Sequence, residues 1–420
     1  MFVSSVRSRL APFAMRNAST QAGRGLSAIL EKRPDDVVIT FAKRTAMGRN
    51  RKGQFKDVPV DEMMQGLFKA TLEQTGLDPS KIEDICVGTC HPPSPTYVSR
   101  AAALAAGIPH DVPISTMNRL CSSGLMAIRN IAHAIQTKEI SLGIAVGVEN
   151  MTLNARPTPV ITEAVDKSPE AHDCIQPMGW TSEMVAQTYK VPRSKQDEYA
   201  LISHTRASEA LTKGIFAEEI IPIEIRGSVI SMDDTIRPGV TMESLTALKP
   251  VFPDWGEAAT TAGNASGIGD GAALCILTTR ERAHKEGMQI LGKWVGSAVV
   301  GVEPKYMGIG PIAAIPKVLS QYGLSKEDVN IYEINEAFAS QFAYCVEELG
   351  ISMNKINPNG GAIAVTHPLG MTGVRQVVTG LAELRRRNEK VLCTSMCVGS
   401  GMGAAGIFIN EALPLHSSKL

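Results

Sequence analysis

The feature that most constrains this chain is a rhythm that occurs twice. Short β-branched and apolar runs alternate with segments of helical period over about residues 35–151, and again over about 288–412. In the first stretch Val37-Val38-Ile39-Thr40 is a β-branched run bounded by charge, and Ile82–Gly88 and Ser141–Val148 also read as strands. Val60–Thr75 carries Met63, Met64, Leu67 and Leu72 on one helical face, and Ser123–Ile135 reads as a second helix. In the second stretch Gln289–Val300, Val329–Ile334, Val391–Met396 and Ala405–Ile409 read as strands. Pro311–Tyr322, with Pro311 at its first position, Ala337–Leu349 and Gly370–Arg387 read as helices. The last of these closes on cationic residues, as the helix dipole favours. This alternation predicts an α/β protein with buried sheets. The matching rhythm of the two stretches suggests a duplication, although no residue-level repeat is visible. From about Met151 to Gly267 the pattern is irregular, with helices at Ser182–Lys190 and Arg193–Lys213, and predicts an inserted domain over the core.

Composition narrows the function. The 420 residues carry 42 Lys plus Arg and 42 Asp plus Glu, a balance that does not point to nucleic acid as a partner. It is compatible with an anionic small ligand, which needs only a local patch. A chain near its isoelectric point also lacks the self-repulsion that opposes oligomers. The eight cysteines, Cys86, Cys90, Cys121, Cys174, Cys275, Cys345, Cys393 and Cys397, read as reduced thiols in a long chain without a secretory signal. Cys86/Cys90 and Cys393/Cys397 share a C-x3-C spacing, but no matching His or Cys cluster lies near, so no metal site is expected. No apolar run reaches membrane-spanning length.

Four segments carry residues with chemistry. In Asn118-Arg119-Leu120-Cys121-Ser122-Ser123-Gly124 a cysteine sits between an extended segment (112–117) and a helix, where free N–H groups favour thiolate. A lone cysteine reads as readily as a small buried hydrophobe. In Asn357 to Gly370 a histidine, His367, lies between glycine-rich turns and a helix start. It is placed to take a thiol proton as neutral imidazole, or to be a satisfied core histidine. Cys397 ends a strand before Gly399-Ser400-Gly401-Met402-Gly403, a loop that lacks a following Lys and leads into a strand, which argues against phosphate binding. Asn335, in Asn335-Glu336-Ala337-Phe338, reads either as a polar group presented to a cleft or as a helix N-cap.

Together these segments resemble the thiolase family. The pieces that carry the resemblance are 118–124, Pro-Met-Gly-Trp-Thr-Ser-Glu at 177–183, Thr-Ala-Gly-Asn-Ala-Ser-Gly at 261–267 and Asp-Gly-Ala-Ala at 270–273. Met-Gly-Ile-Gly-Pro at 307–311, Asn-Glu-Ala-Phe at 335–338, Gly-Gly-Ala-Ile-Ala to His-Pro-Leu-Gly at 360–370 and Cys397 with its glycine loop follow in order. They span about residues 35–410. The resemblance implies a five-layered αβαβα fold of two duplicated halves with an inserted loop domain. The expected bounds are an extension over 1–34, a first half at 35–151 plus 268–287, a loop domain at 152–267, a second half at 288–412 and a tail at 413–420. It implies thiolytic cleavage of 3-ketoacyl-CoA by CoA, with CoA as substrate and no cofactor. Cys121 would form the acyl-enzyme, His367 take its proton and Cys397 exchange protons with the enolate and with CoA. One oxyanion hole would be His367 with a water held by Asn335, the other the N–H groups of Cys121 and Gly399. Ser266 would lie against the pantetheine of CoA and Met178 near the acyl chain. Family members form dimers, often dimers of dimers, so a homodimer or homotetramer is expected. Pro177, where the short-chain acetoacetyl-CoA branch has His, favours the degradative branch. An acetoacetyl-CoA enzyme running Claisen condensation and a non-catalytic acyl-CoA-binding protein of the same fold stay open.

Several positions depart from the family pattern. Thr366 stands where Gly usually precedes the histidine, Gly269 where Asn is common, Met371 where Cys is frequent and Met184 where Asn is found. The segment Thr89–Pro95, with Cys90, His91 and three prolines, replaces a glycine-containing run. At the ends, Ser418-Lys419-Leu420 matches the tripeptide read by the peroxisomal import receptor. Arg7, Arg9, Arg16 and Arg24 in an acid-free first 30 residues read as a mitochondrial presequence or as a disordered extension.

Overall fold

A computed structural model describes residues 24–412, so the arginine-bearing start before Arg24 and the final tripeptide lie outside the described residues. The longer strands are β1 (Val37–Arg44), β2 (Asp84–Gly88), β3 (Ile114–Met117), β4 (Leu142–Asn150), β5 (Gly269–Thr279), β6 (Gly292–Gly301), β7 (Ile331–Ile334), β8 (Val391–Val398) and β9 (Met402–Asn410). The longer helices are α1 (Val60–Thr75), α2 (Pro95–Ala105), α3 (Ser123–Gln136), α4 (Met178–Thr188), α5 (Arg193–Thr212), α6 (Gly310–Tyr322), α7 (Ala339–Leu349) and α8 (Leu369–Arg387).

The strands follow one hydrogen-bonded path, β7-β8-β9-β6-β1-β5-β4-β2-β3. It joins two half-sheets through the pairs Val38–Lys293 and Ile39–Gly292 of β1 and β6. Each half has the same wiring. In the first, β2 lies parallel to β3 and β4, and β4, β5 and β1 continue antiparallel. In the second, β7 lies parallel to β8 and forms a parallel bridge at Tyr332–Ile356, and β8, β9 and β6 continue antiparallel. The duplication that the rhythm suggested is therefore present in topology, with a single bridge at Ile356 standing where β3 stands in the first half.

Two helices, α3 and α8, pack against each other and against strands of both halves. Their crossing is made of backbone. A Cβ on Gly373 would lie 2.2 Å from the Leu125 nitrogen, and one on Gly124 would lie 2.6 Å from the Gly370 carbonyl oxygen. Gly88 and Gly147 meet the same pair of helix starts as closely, at Ser123 and Gly370. Only hydrogen fits at these positions. Buried polar ties fix α8 further. Arg375 pairs with Glu333 of β7 at 2.8 Å, and Gln376 donates to the Glu333 and Ser395 carbonyls.

The fold departs from the sequence reading in several places. Leu26–Leu30 is a helix, so ordered structure begins before Asp35; Ile29 joins the core of the second half. Pro95–Ala105 is a helix that no apolar period announced, because it packs through alanines and Ser99. Helix α6 starts at Gly310, which leaves Pro311 second. The stretch 152–267 shares the first half's core, since Phe216, Ile220, Ile223, Ile225, Ile230 and Ile236 all join it. Fully buried Arg44 of β1 fastens this stretch through Glu219 and Asp233, each at 2.7 Å. Burial of such a triad is tolerated only because every charge is paired and hydrogen-bonded.

The helix crossing generates a prediction. Gly373→Ala should lower unfolding free energy by about 1–3 kcal/mol, as overpacking does, despite alanine's better helix propensity. A urea midpoint equal to or above that of the parent chain would show that the crossing can relax.

Candidate active site

The carboxyl ends of the parallel strands in both halves open to one place, the usual position for a site in such sheets. Helix α3 follows β3 there through a short turn, Leu120–Ser122, and α8 follows the Ile356 bridge through the 357–368 segment. Cys121 and His367 thus sit at matching positions, just before the N-termini of the two crossing helices.

Cys121 is buried, and its own N–H and that of Gly399 lie near its sulfur and favour its thiolate form. Burial outweighs these donors and pushes the thiol up to about 11. The expectation that the helix start favours thiolate is thus corrected: the resting group is a thiol, because desolvation exceeds what the N–H groups return. Cys397, the second-last residue of β8, is fully buried and raised well above the ordinary thiol range by burial, with Cys121 and Cys345 adding to it. The 399–401 segment is a tight hairpin turn between β8 and β9, with Ser400 and Gly401 at φ 63° and 93°. That geometry turns the Gly399 N–H towards Cys121. Gly403 belongs to β9 rather than to a loop.

His367 is buried, and burial drives its pKa down to about 3, with Arg375 adding to the shift. It is therefore neutral. Its tautomer follows from its neighbours. The Thr372 hydroxyl gives its proton to the Pro368 carbonyl at 2.9 Å, so at 2.6 Å from Nδ1 it accepts the imidazole N–H. The lone pair is left on Nε2, beside the Asn335 amide nitrogen at 3.3 Å. Asn335 is not a helix cap. Phe338 occupies that position for α7, and Asn335 is fully buried with its backbone N–H bound to the Ser395 carbonyl.

Met178, the first residue of α4, packs in one cluster with Cys397, Met307, Ala337 and Phe338, and its sulfur would lie 3.7 Å from a Cβ on Gly399. Ser266 gives its N–H to the Ala337 carbonyl at 3.0 Å, and the next carbonyl, Gly267, accepts the His367 N–H at 3.0 Å. Ser266, Gly267 and Thr366 line a cleft of about 620 Å³ with Ala364, Leu245 and Leu248, and Arg49, Lys52 and Arg237 stand at its exposed edge. All the sequence-predicted residues, Cys121, His367, Cys397, Asn335, Gly399, Ser266 and Met178, are thereby brought to one locality.

Some residues of this locality escaped the sequence reading. Thr372, which sets the tautomer, looked like an ordinary helical threonine; its spacing of five from His367 was the available signal. Glu149, at the end of β4, accepts N–H groups from Cys90, His91 and Gly370 at 3.0, 3.0 and 2.9 Å, and burial raises it to about 6. It joins the two halves beside Cys121, and nothing in the local sequence marks it. Among the described residues no group of His, Cys, Asp and Glu is arranged to hold a metal.

A buried thiol flanked by two N–H groups, a neutral imidazole whose basic Nε2 accepts from the Asn335 amide, and a second buried thiol define a thiol-based acyl-transfer centre. Models of the thiolase N-terminal and C-terminal domains match residues 37–281 and 288–410. The peroxisomal 3-ketoacyl-CoA thiolase B of Mus musculus is 45% identical over 404 residues, covering 93% of this chain and 95% of its own. The dimeric peroxisomal thiolase of Saccharomyces cerevisiae superposes with a TM-score of 0.88 at 44% identity, over 92% of this chain and 100% of that one. A second structure of the yeast enzyme, described as five-layered A-B-A-B-A from two core domains of identical topology, gives 0.78 at 40% identity, over 91% and 100%. The chain belongs to the thiolase family.

The state of Cys121 is testable. With the thiol near 11, its alkylation by iodoacetamide, followed by peptide mapping, should rise about tenfold per pH unit between roughly pH 7 and 9 without levelling, because the thiolate fraction does. A plateau below about pH 8 would mean a resting thiolate–imidazolium pair instead.

Proposed function

We propose that this chain cleaves 3-ketoacyl-CoA with CoA, yielding acetyl-CoA and a shortened acyl-CoA, as the names of its relatives describe for them. The observation that carries this reading is two electrostatically interacting buried thiols, Cys121 and Cys397, beside the Met178–Ala337–Phe338 cluster, to which the strip at Ser266 and Gly267 ties the turn bearing neutral His367. Cys121 sulfur attacks the keto carbon while Nε2 of His367 takes the thiol proton. The keto oxygen becomes an alkoxide facing His367 and Asn335. Its collapse breaks the bond between the second and third carbons and leaves an acyl thioester on Cys121 and an enolate of acetyl-CoA. The Cys397 thiol protonates the enolate carbon. Cys397 then takes the proton of incoming CoA, whose sulfur displaces Cys121, and His367 returns the first proton to Cys121. In this reading the N–H groups of Cys121 and Gly399, near the Cys121 sulfur, receive the thioester oxyanion. Each preorganised donor of this kind is worth about 3 kcal/mol of barrier.

The cations Arg49, Lys52 and Arg237 suit the phosphates of CoA, and Ser266 and the apolar wall suit its pantetheine arm. Pro177, which starts α4 next to Met178, keeps the reading on the degradative branch. The reading includes a homodimer. Edge strand β3 is half-exposed beside Tyr97, 82% exposed, whereas the opposite edge β7 is wholly buried and covered at Ile356. An open edge of this kind is a template for a second copy. The location that fits is the peroxisome, the compartment in the relatives' names. Ser418-Lys419-Leu420 is then the address offered to the import receptor.

The test is CoA-dependent loss of 3-ketoacyl-CoA across short to long acyl chains. Medium and long chains should be cleaved, and Cys121→Ala should abolish turnover. Activity on acetoacetyl-CoA alone would assign the short-chain branch, and no activity with an intact fold would favour a binding protein. Arg237→Ala combined with Lys52→Ala should raise KM for CoA about tenfold with kcat little changed, as loss of ground-state binding does. A fall in kcat instead would place these residues elsewhere in the cycle.

A further inference from the structure

Thr366 has a backbone conformation of φ 83° and ψ 169°, a region otherwise reserved for glycine and least suited to a β-branched residue. It is 3% exposed, and its neighbour is the base. Such a residue persists only where its surroundings hold it, and those surroundings are specific. Its hydroxyl donates to the Gly267 carbonyl at 2.5 Å, the same oxygen that accepts the His367 N–H, so both lone pairs of that carbonyl are used by the base-bearing turn. The strip that contains Gly267 is held on its other side as well. Ser266 donates to Ala337, Ala265 bridges Phe338, and Ala339 donates to Asn264 at 2.8 Å. One strip of backbone thus lies between the turn that follows Asn335 and the turn that precedes His367.

The space for the threonine exists because residue 269 lacks a side chain. A Cβ on Gly269 would lie 2.4 Å from Thr366 Oγ1 and 2.5 Å from its Cγ2, and one on Gly267 3.0 Å from Oγ1. The two residues, a threonine in a glycine conformation and the glycine that opens strand β5, answer each other.

We infer that Thr366 is a positioning residue, whose side chain clamps the Gly267 wall of the cleft to the turn bearing His367 in space that Gly269 leaves open. The inference rests on the acyl-transfer reading of the site and adds to it a residue that acts through the base. Full-length variants test it, each checked for an unchanged melting temperature. Thr366→Val keeps the shape and removes the hydroxyl. Its kcat for thiolysis should fall about tenfold with KM for CoA within about twofold, since slight misplacement of a catalytic group costs rate before binding. Alkylation of Cys121 should slow in parallel, and Thr366→Ser should restore both. Gly269→Ala should cost about tenfold or more in the parent chain, yet no more than about threefold in a Thr366→Gly background, because contacting residues are non-additive. Parent-like kcat and alkylation in Thr366→Val, or an equal cost of Gly269→Ala in both backgrounds, would overturn the clamp. A parent chain without thiolysis, whose Cys121 alkylation still separates Val from Ser at 366, would overturn the reaction and retain the clamp.

Discussion

The crossing of α3 and α8 is the contact on which the rest of the molecule depends. Gly124, Gly370 and Gly373 let the two helices meet backbone to backbone, and Gly88 and Gly147 let the strand ends come as near. Because each helix begins beside a reactive side chain, a crossing of this closeness brings Cys121 and His367 to one locality although 246 positions separate them in the chain. A crossing held apart by larger side chains would leave two half-sites. Helix interaxial distance follows directly from the side chains at the contact, so five glycines set the geometry of the chemistry.

Burial then sets the protonation states. The same dry interior raises both thiols and lowers the imidazole, so the resting site is neutral throughout. Charge appears only as a substrate reacts, when donors already aimed at Cys121 are available to receive it. The carboxylates nearby are held for structure. Glu149 is saturated with backbone N–H groups, and Glu333 is paired with Arg375 on α8. Burial raises Glu333 to about 8 even against the pull of Arg375, and the 2.8 Å bond between them ties β7 to α8.

Much of the architecture could be read before any coordinates. The readings at Val60–Thr75 and Ser123–Ile135 matched their helices almost to the residue, the first through one buried face and the second through an apolar run that is buried all round at its start. Helix α2 was not legible, since alanine carries little periodic signal, and neither was the helix at Leu26–Leu30, whose short face becomes buried only against a distant part of the chain. Among the site residues, motif spacing brought out Cys121, His367, Cys397 and Asn335. It could not show the direction of the Cys121 shift, which is decided by desolvation from segments far away in sequence. Nor could it decide between a cap and a cleft for Asn335, which depends on whether α7 starts at Glu336 or three residues later.

What the sequence determined by itself was the class of fold, the doubled rhythm and the chemical types of the reacting groups, because period and motif are local properties of the chain. The tertiary structure decided which of those groups share a site, which tautomer His367 holds through Thr372, and how a threonine stands in a glycine conformation at 366. Each of these turns on a neighbour brought in from elsewhere, such as the Gly267 carbonyl and the empty side of Gly269. Distance through space, which no local pattern carries, is the physical reason.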